Sequence, residues 1–211
     1  SEVFIQLFNT SESWPHLKKT VFSTYLINTI ILTIGTGLLS TFIGVFCAWV
    51  IACCEFPLKK FFEWALILPL AIPTYVSAYA YFDILELSNP ILIWVRENIN
   101  LEAMQSLNSF FVYFFTILVL SSVLYPYIYL LARASFLKQG NQLIEAGLSL
   151  GHNINEIFWK IALPMARPAV FAGLSLVIME TLNDYGAVKH FGIPTFTCLL
   201  YTSDAADEVL G

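Results

Sequence analysis

The chain has 211 residues, a net charge of −5, 58% hydrophobic residues and only 12% charged ones. Soluble domains carry about 25% charged residues, so most of this surface is expected to face lipid. The lysines and arginines are few and scattered, which argues against the extended basic surface that a nucleic acid partner needs.

In chain order, Ser1–Thr20 is polar and aromatic. It lacks the basic start and short apolar stretch of a cleavable signal, and the expectation is that the natural N-terminus lies upstream. A helix that crosses a bilayer needs about 20 mostly apolar residues. Uncharged stretches run from Thr20 to Cys54, Trp64 to Phe82 and Ala103 to Ala132, and a fourth from Pro168 to Val188 is interrupted by Glu180 and Asp184. Four spans are therefore predicted, near 24–52, 62–84, 109–133 and 167–187, giving an all-α polytopic membrane protein built as a helical bundle. Ser40 and Gly44 form a small-xxx-small pair suited to close helix contact. Cys47, Cys53, Cys54 and Cys198 lack paired metal-ligand spacing and read as reduced thiols. Pro69 and Pro73 remove backbone donors from the second span. In lipid such breaks survive where a neighbouring helix or a water-filled cavity serves the freed carbonyls, so both prolines are candidates for the translocation path.

Orientation follows from the basic residues of the loops. Lys59, Lys60, Arg133, Lys138, Lys160 and Arg167 fall on one side if the spans alternate, against Lys18, Lys19, Arg96 and Lys189 on the other. The richer side is the expected cytoplasm, with Ser1–Thr20 and Glu86–Leu107 outside.

Between the third and fourth spans, Asn141 is placed to cap a short helix through about Leu150, which Gly151 ends in the left-handed conformation. Asn153 caps a second helix with Glu156 in the capping-box position. Ile154, Ile157, Phe158 and Ile161 fall at i, i+3, i+4 and i+7, one apolar stripe, and Pro164 is the expected stop. The product is a helix–turn–helix elbow whose apolar side needs a cover.

These residues carry a resemblance. Glu145-Ala146-Gly147, three residues, Gly151, nine residues, then Ile161-Ala162-Leu163-Pro164 resembles the EAA loop of binding-protein-dependent ABC importer permeases. Gly147 departs from the usual Ala, at about 1 kcal/mol of helix propensity. Leu68–Tyr81, Leu124–Ser135 and Met179–Thr197 look like the ferric-iron permeases, over about residues 14–197. The resemblance implies a MetI-like bundle in the bacterial inner membrane and most of the first half of a longer permease, with residues 1–197 as a partial transmembrane domain. It implies an elbow docked on a cytoplasmic ABC ATPase dimer, with ATP bound on that partner and no cofactor in this chain. It also implies a periplasmic iron-binding protein as donor. Thiamine, sulfate, polyamine and phosphonate permeases share the loop and remain alternatives. Cys198–Glu208 resembles one reading frame of a sequencing adapter, and residues 198–211 are expected to be foreign to the natural chain.

Other chemistry is weaker. Gly147-Leu148-Ser149-Leu150-Gly151 fits a hydrolase pattern that needs a strand before it, and none is expected. Gly35-Thr36-Gly37-Leu38-Leu39-Ser40 is a broken dinucleotide fingerprint inside an apolar helix. Glu180 and Asp184 stand one helical turn apart on the fourth span, where ionisable groups are costly and functional by default; they are candidates for the cation route. With His190 they also suggest a membrane-embedded enzyme. Tyr75, Tyr79, Tyr81, Tyr125, Tyr127 and Tyr129 are candidate phenolate ligands for ferric iron.

Overall fold

The structure is a computed structural model that describes residues 22–87 and 101–198, with side-chain surroundings for 22–81, 109–138 and 147–198. Ser1–Thr20, much of the expected loop Glu86–Leu107 and the expected foreign tail beyond Cys198 therefore lie outside the described residues. Among the described residues all regular structure is helical. Helix α1 is Phe22–Cys53, α2 Lys59–Ala65, α3 Thr74–Leu87 and α4 Leu101–Ser149. Then come α5 (Ile154–Ile157), α6 (Leu163–Asn183) and α7 (Gly186–His190), with a 3₁₀ turn at Leu68–Ala71 and a π turn at Phe158–Ala162. By length and composition three helical stretches are long and apolar enough to cross a membrane, and a fourth counts if a bent pair is one span.

The bundle is organised around α4. Its 49 residues extend about 73 Å at 1.5 Å per residue, well past a hydrocarbon core of about 30 Å. Helices α1 and α6 lie against it through two glycines that flank the buried Pro126. A Cβ on Gly44 would stand 3.0 Å from the Tyr125 carbonyl oxygen, and one on Gly173 would stand 2.8 Å from Ile128 Cα. The small-xxx-small pair is thus a backbone-to-backbone seam, extended by the Ser121 hydroxyl donating to the Thr36 carbonyl at 3.3 Å. In lipid, where apolar surface gives no net drive between helices, such close approach is what holds them.

Two apolar clusters follow. The inner one joins Val45, Ala48 and Ile51 of α1 to Ile128, Tyr129 and Ala132 of α4 and to Ala166 and Val177 of α6. The outer one joins Leu32, Ala78, Val119 and Leu120 to Ala187 and Val188 of α7 and to Ile193. Trp49 touches both Phe136 and Phe158, with ring centroids 5.5 and 4.9 Å away. The C-terminal end of α1, the 130s of α4 and the elbow therefore share one end of the bundle. That end carries Lys59, Lys60, Arg133, Lys138, Lys160 and Arg167, whereas Lys189 lies at the other.

Four sequence expectations change. The second span is no single kinked helix: Lys59–Ala71 and Thr74–Tyr81 meet at 93°. Pro69 sits inside the 3₁₀ turn and Ile72 is extended just before Pro73, because the residue before a proline is driven from the helical region. Asn141 caps nothing, since α4 runs unbroken to Ser149. Pro164 does not stop the helix either. The Leu163 N–H bonds Phe158 O, five residues back, and this widened turn gives the proline ring room against the preceding carbonyls. One helical run thus carries Ile154 through Asn183. Finally, the fourth span ends at Asn183, and Asp184 is extended, off the helix.

Candidate functional site

Two places gather the candidate residues: the elbow at the inner end and a polar pocket at the outer end. Glu145, Ala146 and Gly147 occupy the last turns of α4, the side chains of Glu145 and Ala146 lying outside the described set. Gly151 takes φ +84°. Its N–H bonds Leu148 O at 2.9 Å and the His152 N–H bonds Gly147 O at 3.1 Å, the paired bonds of a Schellman turn that satisfy the carbonyls a helix end leaves open. Nothing lies within 4 Å of a Cβ placed on Gly151, so glycine is needed there for its backbone and not for space.

Asn153 then opens α5 in the expected capping box. The Glu156 carboxylate accepts the Asn153 N–H at 3.3 Å and also faces His152 Nδ1 at 3.1 Å and Lys160 Nζ at 3.2 Å. These partners, the His152 contact foremost, hold its pKa below the ordinary value. The expected single stripe divides. Ile157 is buried, Phe158 and Ile161 are half-buried towards the bundle, and Ile154 is exposed. Gly147 receives Ile157, whose Cδ1 would be 2.8 Å from an alanine Cβ, so the departure from Ala lets α5 fold back closely on α4. Leu163 and Pro164 open α6. An apolar side in need of a cover was expected, but of its residues only Ile154 is exposed; sequence reasoning missed Leu148, Leu150 and Trp159, exposed with it around the turn. Their signal was the pair of leucines alternating with glycine and serine just before the bend. The serine of that hydrolase-like pattern ends a helix, with no strand before it.

At the other end, Glu180 and Asp184 are not stacked on one helix face. Asp184 Oδ1 accepts the Ala187 N–H at 2.9 Å, starting α7, and Glu180 accepts the Tyr127 hydroxyl at 3.5 Å. Both nevertheless line one pocket of about 300 Å³ with Thr74, Tyr75, Asn183 and Gly186. Pro73 brings Thr74 there by starting α3 at the bend, and a Cβ on Gly186 would meet Tyr75 Cβ at 3.0 Å. Lys189 Nζ stands 2.6 Å from the Tyr185 hydroxyl, which raises its pKa. The pocket is lined by two carboxylates, by Asn183 and by the hydroxyl-bearing Thr74, Tyr75 and Tyr185, the last bonded to the Lys189 ammonium.

The candidate tyrosines do not converge. Tyr129 donates to the Glu63 carbonyl at 3.4 Å near the inner end, Tyr127 meets Glu180, and the Tyr79 ring lies tilted against His190, centroids 4.1 Å apart. Among the described residues no three His, Cys, Asp or Glu side chains are grouped to hold a metal, and none of the four cysteines is in a disulfide.

Residues 40–200 match the model of the family described as binding-protein-dependent transport system inner membrane component. The chain belongs to this family. It is 28% identical over 176 residues to the Fe(3+)-transport system permease protein FbpB 2 of Haemophilus influenzae, covering 83% of this chain and 30% of that protein. It is 27% identical over 146 residues to the sulfate transport system permease protein CysW of Escherichia coli, covering 69% and 48%. Against the sulfate transport system permease protein CysT of Synechocystis, identity is 26% over 166 residues, covering 79% and 55%. The chain thus spans between 30% and 55% of the length of these curated relatives. Membership places it in the membrane as a transport component, and the proteins it matches are permeases rather than enzymes.

Proposed function

We propose that this chain is the membrane-spanning permease of an ATP-driven importer, that its substrate is ferric iron handed over by a periplasmic binding protein, and that ATP is hydrolysed by a separate cytoplasmic ATPase dimer seated on the elbow. The observation that carries the coupling role is the elbow itself. It projects at the cation-rich end of α4, is stiffened by a Schellman turn and a capping box, and leaves Leu148, Leu150, Ile154 and Trp159 uncovered. Because α4 is continuous through both the membrane and the first arm of the elbow, force on the turn reaches the bundle core without an intervening joint. Glu145, Ala146, Gly147, Gly151, Ile161, Leu163 and Pro164 build this lever. Energy enters as a difference in partner contact between two conformations, with no bond made or broken in this subunit.

The iron reading is supported by the outer pocket. Glu180 and Asp184 attract a cation and repel a dianion, while Pro69 and Pro73 make the broken segment that brings Thr74 and Tyr75 to its rim. Sulfate is the second reading, favoured by the similarity to CysW and CysT. Uptake of radiolabelled ferric iron and sulfate by cells that depend on this permease separates the two. Iron uptake should fall several-fold with Glu180→Gln and Asp184→Asn together, while the ATPase still co-purifies. Sulfate uptake in place of iron uptake rejects the iron reading, and loss of ATPase co-purification only on changing Gly151 supports the lever.

A further inference from the structure

One apolar groove plays no part in either site. It lies between the last turns of α1 and the short α2, is lined by Phe46, Cys47, Val50, Phe56, Phe62 and Leu66, and has a volume of about 260 Å³. No charged side chain lines it, so only hydrocarbon gains by entering. Two features of α2 say what kind of hydrocarbon. Lys59, Phe62 and Leu66 fall at i, i+3 and i+7, so Lys59 opens the helix face that walls the groove, with exposed Lys60 next to it in sequence. Neither lysine forms an ion pair with a described residue, since Glu63 is taken by Arg133 at 3.0 Å and Glu156 by Lys160; exposed Glu55 is the remaining acid nearby. On its outward side α2 presents Phe61 and Trp64, the latter 75% exposed, the residue types that settle at the level of lipid headgroups. The 93° bend turns this segment away from the direction of α3, and the Arg133–Glu63 pair ties it to α4.

We propose that the α1–α2 groove is a binding site for one anionic phospholipid of the inner leaflet, its acyl chain in the groove and its phosphate on Lys59 and Lys60. A free phosphate has no use for the groove, and a neutral lipid none for the lysines. A bound lipid here wedges α1 against the segment that leads to the outer pocket.

Trp64 is the reporter. The full chain is placed in phosphatidylcholine nanodiscs containing a minor fraction of brominated phosphatidylglycerol or, in parallel, brominated phosphatidylcholine. The Trp64 signal is the difference from a Trp64→Phe variant. Two lysines at about 1 kcal/mol each near an anionic surface should make phosphatidylglycerol quench at roughly thirtyfold lower mole fraction. Lys59→Gln with Lys60→Gln should bring the two curves together, and Val50→Phe, which fills the groove and leaves both lysines, should do the same. Equal quenching by the two lipids in the unaltered protein overturns the proposal. So does a preference that survives both variants, or the absence of quenching by either lipid because polypeptide covers the groove.

Discussion

At its elbow end the bundle is joined chiefly by aromatic rings and backbone turns, with the Arg133–Glu63 pair beside them, whereas at its opposite end side-chain hydrogen bonds of Asn28 tie distant segments together. Trp49 locks α1 to α4 and to the π turn by ring contact alone. At the far end Asn28 does the equivalent work with its amide. It donates to the Pro194 carbonyl at 2.9 Å and accepts the Tyr113 hydroxyl at 2.7 Å, joining α1, α4 and the strand-free segment after α7. Ring contacts depend on packing alone, whereas hydrogen bonds between segments can be exchanged for water.

That contrast is open to attack from either side. The largest effect is expected from Trp49→Ala, which empties the space between Phe136 and Phe158. For a partly buried aromatic the loss is about 3 kcal/mol, read as a fall in thermal stability in detergent together with loss of elbow docking. If docking survives, the inner end is not rigidly clamped. Asn28→Ala comes next, at about 2 kcal/mol, because a buried hydroxyl and a carbonyl lose their partner. Hydrogen exchange should rise around Pro194 and Tyr113 while the elbow amides stay protected; exchange rising equally at both ends would erase the distinction. Gly151→Ala should cost about 1 kcal/mol from the left-handed backbone alone, with Asn a milder replacement than Ala. Partner co-purification measures it, and an unaltered complex would show that the turn tolerates another geometry.

The smallest effect concerns pH. The folded-state pKa of Glu156 is depressed, so its contribution to the elbow is present above the ordinary carboxylate value and is lost as pH falls through the lower folded value. Fraying of α5, followed by exchange at Asn153 and Ile154, should therefore begin only in acid below the usual carboxylate range. Glu156→Gln should fray without that pH dependence. Exposure and salt keep this effect slight.

Local chemistry was legible where a residue has few alternatives. Gly151 and the Asn153–Glu156 box emerged at the expected positions, because a left-handed turn and a cap are decided within a few residues. Asn141 and Pro164 misled for the same local reasons. Asn141 has cap chemistry, but its segment continues a helix that α1 and α6 already support, so no end forms there. Pro164 has stop chemistry, yet a single π turn absorbs the ring at less cost than exposing helix carbonyls near lipid. Asn28 went unnoticed as a lone amide in an apolar run, though a polar side chain at membrane depth is itself a signal for an inter-helix bond.

The chain by itself determined that the protein is helical, that it lies in a membrane and that it carries a helix–turn–helix elbow. Those facts rest on runs of apolar residues and on spacings read along one dimension. Only the tertiary structure decided that the second apolar run breaks at 93°, that Asp184 leaves the helix yet shares a pocket with Glu180, and that Gly44 and Gly173 both close on Ile128. Each depends on which helices become neighbours. In lipid that choice is made by close packing and buried hydrogen bonds between distant segments, not by hydrophobicity, which every span offers equally.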